Sequence, residues 1–166
     1  AADYGTVNPC TFGLYGWDRK GPVYLVKEYY YDHRKTGRQK TDKEYADDFI
    51  DFISGYRISA IYVDPSAASF IAELKGRGVK IKEAKNAVLD GIRFVGNWLK
   101  DGKFFIDKGC TDTIKEFGSY VWDENAQKRG DDRPIKEMDH AMDRNRYALY
   151  SHFYRTNTTF YAGFKY

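Results

Sequence analysis

The spacing of hydrophobic and polar positions changes period several times along the chain. Residues 10–17 and 22–31 are rich in aromatic and β-branched side chains, joined through Asp18-Arg19-Lys20-Gly21-Pro22. This pattern predicts a β-hairpin with PVYLVKEYYYD as its longer arm. The polar, basic stretch HRKTGRQK follows, centred on Gly37, and reads as a loop or hairpin extension. Thr41 and Glu44 match a capping box, and Tyr45, Phe49, Phe52, Ile53 and Tyr56 recur at helical spacing. The short apolar run SAIYVDPSA, stopped by Asp64-Pro65, reads as a buried parallel strand, with the preceding helix as its crossover.

Further on, the pattern predicts a helix over 67–76, a turn at Gly78 and a short strand in VKIKEA. AVLDGIRFVGNWLKDG places Val88, Ile92, Val95 and Leu99 on one helical face, ending near Gly102. KFFID is strand-like, and TDTIKEFGSYVWDE reads as helical despite Gly118. Residues 125–136 lack periodicity and form a charged loop, and a last helix is expected from about Glu137 to Tyr154. Strands and helices in this order predict a single α/β domain with a mixed β-sheet flanked by α-helices.

Composition narrows the class. The 166 residues are 42% hydrophobic and 31% charged, which fits a globular domain with a substantial core. No apolar run approaches the roughly 20 residues of a transmembrane helix, so no membrane association and a cytosolic setting are expected. Cys10 and Cys110 have no metal-binding spacing and are expected as free thiols. The net charge of +3 permits a polyanionic partner without arguing for one.

The candidate chemistry lies in carboxylates. In KEMDHAMDRNRYALYSHF, at about 100° per residue, Met138, Ala141, Met142, Asn145, Ala148, Leu149 and His152 share one side. Asp139, Asp143, Arg146 and Tyr150 fall on the other, with His140 between them. Taken alone, this is an amphipathic helix whose outer face carries an Asp143–Arg146 pair. Asp64, however, ends a buried strand at the carboxyl edge of the sheet, where α/β folds bind ligands. Asp3 is placed to do the same on a neighbouring first strand. Two strand acids and one helix acid make an oxygen-rich pocket suited to Mg²⁺ or Mn²⁺. Two such ions about 3.5–4 Å apart clamp the attacking and leaving oxygens of a phosphodiester. The chain has no GxxxxGK[ST] phosphate loop, no HExxH and no GxSxG, and Arg129-Gly130-Asp131 reads as loop.

ADYGTVNPCTFGL, IYVDPSA, KNAVLDGIRFVGNWLKDGKFFID, TIKEFGSYVWD and DHAMDRNRYALY occur here in order across nearly the whole chain. As an ordered set they resemble the C-terminal nuclease domain of tailed-bacteriophage terminase large subunits. The resemblance implies an RNase H-like fold of the resolvase/integrase type. It also implies a metal-dependent endonuclease that cuts concatemeric viral double-stranded DNA during genome packaging, in the cytoplasm of the infected host. By the same resemblance Asp3, Asp64 and Asp143 are the metal ligands, and His140 is an auxiliary active-site residue. Asp139 is either a further ligand or an acid that positions His140. Implied partners are DNA, an ATPase motor domain in the full-length protein, a small terminase subunit and a portal. Residues 1–166 then read as a single nuclease domain excised from a longer chain.

Basic residues expected to contact DNA phosphates are Arg34, Lys35, Arg38, Lys40 and Lys43, with Lys80, Lys82 and Lys85 as a weaker patch. The bland alternative for the first group is a solubilising loop. Alternative functions are another RNase H-like nuclease, such as a junction resolvase or transposase core, or a non-catalytic nucleic-acid-binding module.

Overall fold

The computed structural model describes residues 1–18, 21–121 and 138–155, with 123, 128, 130, 134 and 135 between the last two. The expected hairpin forms β2 (Cys10–Trp17) and β3 (Val23–Tyr31). Four short strands complete the sheet: β1 (Ala2–Asp3), β4 (Tyr62–Val63), β5 (Lys82–Glu83) and β6 (Phe104–Ile106). Their order is β5-β4-β1-β2-β3-β6. The sheet is mixed: β1 runs parallel to β4 and antiparallel to β2, while β3 is parallel to β6 and β4 to β5. Asp3 therefore sits centrally, one strand away from the strand that leads into Asp64.

A bulge in the β2–β3 ladder between Leu14 and Tyr15 reverses which face β3 presents. Before it, Val23 and Leu25 pack into one core with Val95, Phe104, Cys110 and Leu149. Beyond it, Tyr29 and Tyr31 pack against the other, around Phe12, Tyr45, Phe49 and Phe70. One extra residue changes the phase of a period-two pattern and sends Glu28 and Tyr30 to the first face.

The second core is roofed by α2 (Asp42–Ile53), which begins with the capping box at Thr41 and Glu44, and by α3 (Ala68–Gly76). The first core is covered by α4 (Val88–Lys100), α5 (Thr111–Ser119) and α6 (His140–Phe153). Cys10 and Cys110 are free and buried in different cores, on opposite sides of the sheet.

Several expectations change. The basic stretch expected as loop holds a single helical turn, α1 (His33–Thr36), closed by Gly37 at φ 68°. Asp32 caps it by accepting from the Arg34 amide, the local competition that aspartate offers at a helix start. On α4 the expected face holds at Val95, which is buried, and at Ile92 and Leu99, which are partly buried, while Val88 is exposed and Gly91 is buried against α6. α5 stops at Ser119, short of the expected helix. α6 begins at His140 rather than Glu137, and its supposed outer face is buried, with Arg146 and Tyr150 at 2% and 5% exposure. The reason is that α4 packs on that face, so α6 has neighbours on both sides. Apart from Lys128, Gly130, Pro134 and Ile135, the expected loop 125–136 lies outside the described residues, as does Glu137.

Candidate functional site

The carboxyl ends of β1 and β4 and the first turn of α6 meet at one edge of the sheet. Asp3 is the last residue of β1, and Asp64 follows Val63, the last residue of β4. Asp143 lies in the first turn of α6. Asp64, Asp139, Asp143 and Arg146 line one polar cavity of about 220 Å³, with Asn86, Tyr120 and Tyr147 also in its wall.

Each acid has a protein partner. Asp3 Oδ2 meets His140 Nδ1 at 3.1 Å. Burial pushes the Asp3 carboxyl above its ordinary range; His140 offsets this in part, and the charges of Asp143 and Asp64 raise it further. The His140 imidazole is held above its usual value: burial favours the neutral ring, but Asp3, Asp139 and Glu116 outweigh it. Asp64 Oδ1 accepts from the Ser66 amide at 2.8 Å, and Oδ2 accepts from the Tyr147 hydroxyl. Burial opposes ionisation of Asp64, yet the hydroxyl, the amide and nearby Arg146 bring its carboxyl below the usual range. Asp143 Oδ1 takes both Nη2 and Nε of Arg146, at 2.9 and 3.2 Å.

Asp139 and Asp143, one helical turn apart, line the same cavity. Asp139 is the residue before α6, and its carbonyl accepts the Asp143 amide at 2.8 Å. Met138 just before it takes a left-handed φ of 53°, a conformation that costs a non-glycine residue energy and re-aims the chain as it enters the site.

The oxygen donors are of the hard type that divalent Mg²⁺ and Mn²⁺ take, and three of the acids come from converging elements. Among the described residues, no three His, Cys, Asp or Glu side chains already stand as a metal-binding group. His140, Tyr147 and Arg146 each engage one carboxylate. The donor set suits a divalent ion in its chemistry, and the side chains are satisfied by protein groups.

The fold that carries these acids has relatives of known identity. Over 93% of its length the chain superposes on the large terminase of a thermophilic bacteriophage, with TM-score 0.89 and 47% identity. The chain matches the nuclease domain of phage terminase large subunits. The SPP1 large-terminase nuclease domain, solved with bound Mn, is 27% identical over 89% of this chain and 82% of that one, at TM-score 0.60. The terminase large subunit of Escherichia phage T5 is 29% identical over 132 residues, 77% of this chain. No family model matches. The chain spans 38% of the thermophilic-phage terminase and 30% of the T5 protein, so it corresponds to under half of either. The terminase match accounts for the RNase H-like sheet order, with a central β1 parallel to β4.

Within the terminase nuclease fold, several residues that support the site are not apparent from sequence spacing. Glu116 of α5 is 1% exposed and accepts the Ala141 and Met142 amides at 2.7 and 3.2 Å, capping the start of α6 from another helix. Tyr30 donates to the same carboxylate at 2.6 Å. Glu28 of β3 does likewise for α5, accepting the Asp112 and Thr113 amides at 2.8 and 3.1 Å. Both place a carboxylate against the positive end of a helix dipole. A capping acid adjacent in sequence is a readable signal; these reach from 25 or more residues away.

The basic segment is tied to the loop that follows Asp3, where Gln39 Nε2 donates to the Thr6 carbonyl at 2.8 Å. Its charges are largely engaged: Arg34 with Asp32 at 2.9 Å, Arg38 with Glu44, and Lys40 with Asp48 and over the Tyr31 ring. Lys35 lies over Tyr30, and the Lys43 carbonyl accepts from Arg77. Lys82 and Lys85 belong to the β5 edge, where Lys85 Nζ donates to the Tyr154 carbonyl at 2.8 Å. Among the described residues no helix is long and apolar enough to cross a membrane.

Proposed function

We propose that this domain is a metal-dependent endonuclease that cleaves concatemeric viral double-stranded DNA during genome packaging. In the longer protein it would work beside an ATPase motor domain, with a small terminase subunit and a portal as partners, in the host cytoplasm. The observation that carries the reading is the convergence of Asp3, Asp64 and Asp143 at the carboxyl edge of a terminase-like sheet, where the Asp3 carboxyl responds to the other two charges. The Mn-bound SPP1 nuclease domain supports use of a divalent ion.

Asp3, Asp64 and Asp143 would hold two Mg²⁺ or Mn²⁺ ions, with Asp139, which lines one cavity with Asp64 and Asp143, as a further ligand. When bound, the ions supply Lewis-acid stabilisation of the attacking and departing oxygens of an in-line phosphodiester hydrolysis. Tyr147 and Ser66 fix the rotation of Asp64, and Arg146 fixes Asp143. His140 orients Asp3 through Nδ1 and is available to hold a proton or a phosphate oxygen near the site. Arg34, Lys35, Arg38, Lys40 and Lys43, docked beside the loop after Asp3, would supply the phosphate-contacting surface.

Supercoiled plasmid incubated with Mg²⁺, Mn²⁺, Ca²⁺ or chelator tests the proposal. Nicking and linearisation are expected with Mg²⁺ or Mn²⁺ and not with chelator. Asp3→Asn, Asp64→Asn and Asp143→Asn should each lower the rate by about a hundredfold or more. Cleavage that persists in chelator, or is unchanged in Asp64→Asn, would sink the assignment.

A further inference from the structure

Arg146 carries more charge into the interior than packing requires. Its side chain is 3% exposed and runs between α6 and α4. The stem fits only because position 91 has no Cβ: one built there would lie 2.5 and 2.6 Å from Arg146 Cγ and Cδ. The guanidinium lies over the Tyr147 ring at 4.7 Å, gives Nη1 to Asn86 Oδ1 at 3.3 Å, and gives Nε and Nη2 to Asp143 Oδ1. Burying a guanidinium is costly, and an apolar side chain of similar length would fill the same slot without that cost. What the arginine adds is a positive charge where Asp64, Asp139 and Asp143 share one cavity wall. Both contacts to Asp143 fall on Oδ1, so Arg146 holds the carboxylate by one oxygen.

We propose that Arg146 is the resident counter-cation of the acidic cavity, a positioning residue that holds and neutralises Asp143 until a divalent cation takes over the neutralisation. This rests on the metal-site reading above. The cavity is then kept assembled before metal arrives, and Tyr147 links the two halves: its ring lies under Arg146 and its hydroxyl holds Asp64.

A charge role and a packing role give opposite results in a mutant cycle measured in chelator. Arg146→Met is expected to lower the melting temperature by about 5 °C, because Asp143 loses the guanidinium that neutralises it. Adding Asp143→Asn to Arg146→Met should recover most of that loss, and Arg146→Lys should lose less than Arg146→Met. A double variant no better than Arg146→Met, or a Lys variant no better than Met, overturns the inference. Should Arg146→Met fail to fold, recovery of folding in the double variant supports the charge role and continued failure overturns it. Mn²⁺ should then raise the melting temperature of Arg146→Met by more than it raises wild type. An equal rise in both overturns this inference alone, whereas no rise in wild type overturns the metal-site reading.

Discussion

Asp64 and Asp3 are neighbouring carboxylates with opposite electrostatic fates: burial prevails at Asp3, whereas hydrogen-bond donors and Arg146 outweigh it at Asp64. Asp64 receives a hydroxyl and an amide, so its ionised form is favoured. The stability it contributes is present above the ordinary carboxylate pKa and is lost as pH falls through its depressed value. Tyr147→Phe removes one of those donors, and should cost about 1–2 kcal/mol at pH 7. The cost should shrink as pH falls through the depressed Asp64 value and the carboxyl becomes protonated; urea unfolding at pH 7 and at successively lower pH checks this. Asp3 and His140 are both raised, so both favour the protonated state in the folded protein. Their contributions are complete at low pH, for His140 below about 6.5, and drain away as pH rises through the elevated native values. Metal-free protein should therefore lose melting temperature as pH rises above about 6.5, and His140→Gln should flatten that slope. A slope unchanged by the substitution would mean that other groups carry it.

At the scale of elements, α4 and α6 form the joint on which the acidic cavity depends, and two glycines of α4 behave differently there. Gly91 lies against the Arg146 stem, while a Cβ at Gly96 would meet nothing within 4 Å. Gly91→Ala should destabilise by about 1–3 kcal/mol through overpacking. Gly96→Ala should stabilise by about 0.5–1 kcal/mol, because alanine is the better helix former. Thermal unfolding of the two variants measures both signs in one helix. This contrast is invisible in AVLDGIRFVGNWLK, where both glycines interrupt the same amphipathic pattern. The capping box at Thr41, the hairpin and the Asp64-Pro65 strand end were readable because their signals are local. The bulge that turns β3, and the Glu28 and Glu116 carboxylates that cap α5 and α6, depend on pairings far along the chain. Helical-wheel arithmetic misjudged α6 for the same reason, since it assumes one buried side and α6 has two.

Over the whole molecule, position separates two kinds of basic residue that the sequence presents as one run. Arg34 and Arg38 have side-chain exposures of 58% and 65%, Arg34 pairing with the buried Asp32 and Arg38 with the partly exposed Glu44, whereas Lys40 is 18% exposed. Lys40 sits over Tyr31 and bonds Asp48, which also accepts from Tyr29 at 2.5 Å, so it helps fasten β3 to α2. An ion pair exposed on both sides contributes little to stability, which leaves Arg38 able to exchange a carboxylate for a phosphate. The run lies beside the loop that follows Asp3, so a duplex resting on it would reach the acidic edge of the sheet. Arg34→Glu with Lys35→Glu should weaken duplex binding about tenfold at about 50 mM salt. It should also reduce the slope of log affinity against log salt by about two. Lys40→Glu should instead lower the melting temperature, because it places a second negative charge against Asp48. Fluorescence anisotropy at several salt concentrations, run beside thermal unfolding, distinguishes the two. Equal affinity of wild type and the Arg34→Glu/Lys35→Glu variant at low salt would move the DNA path away from this edge.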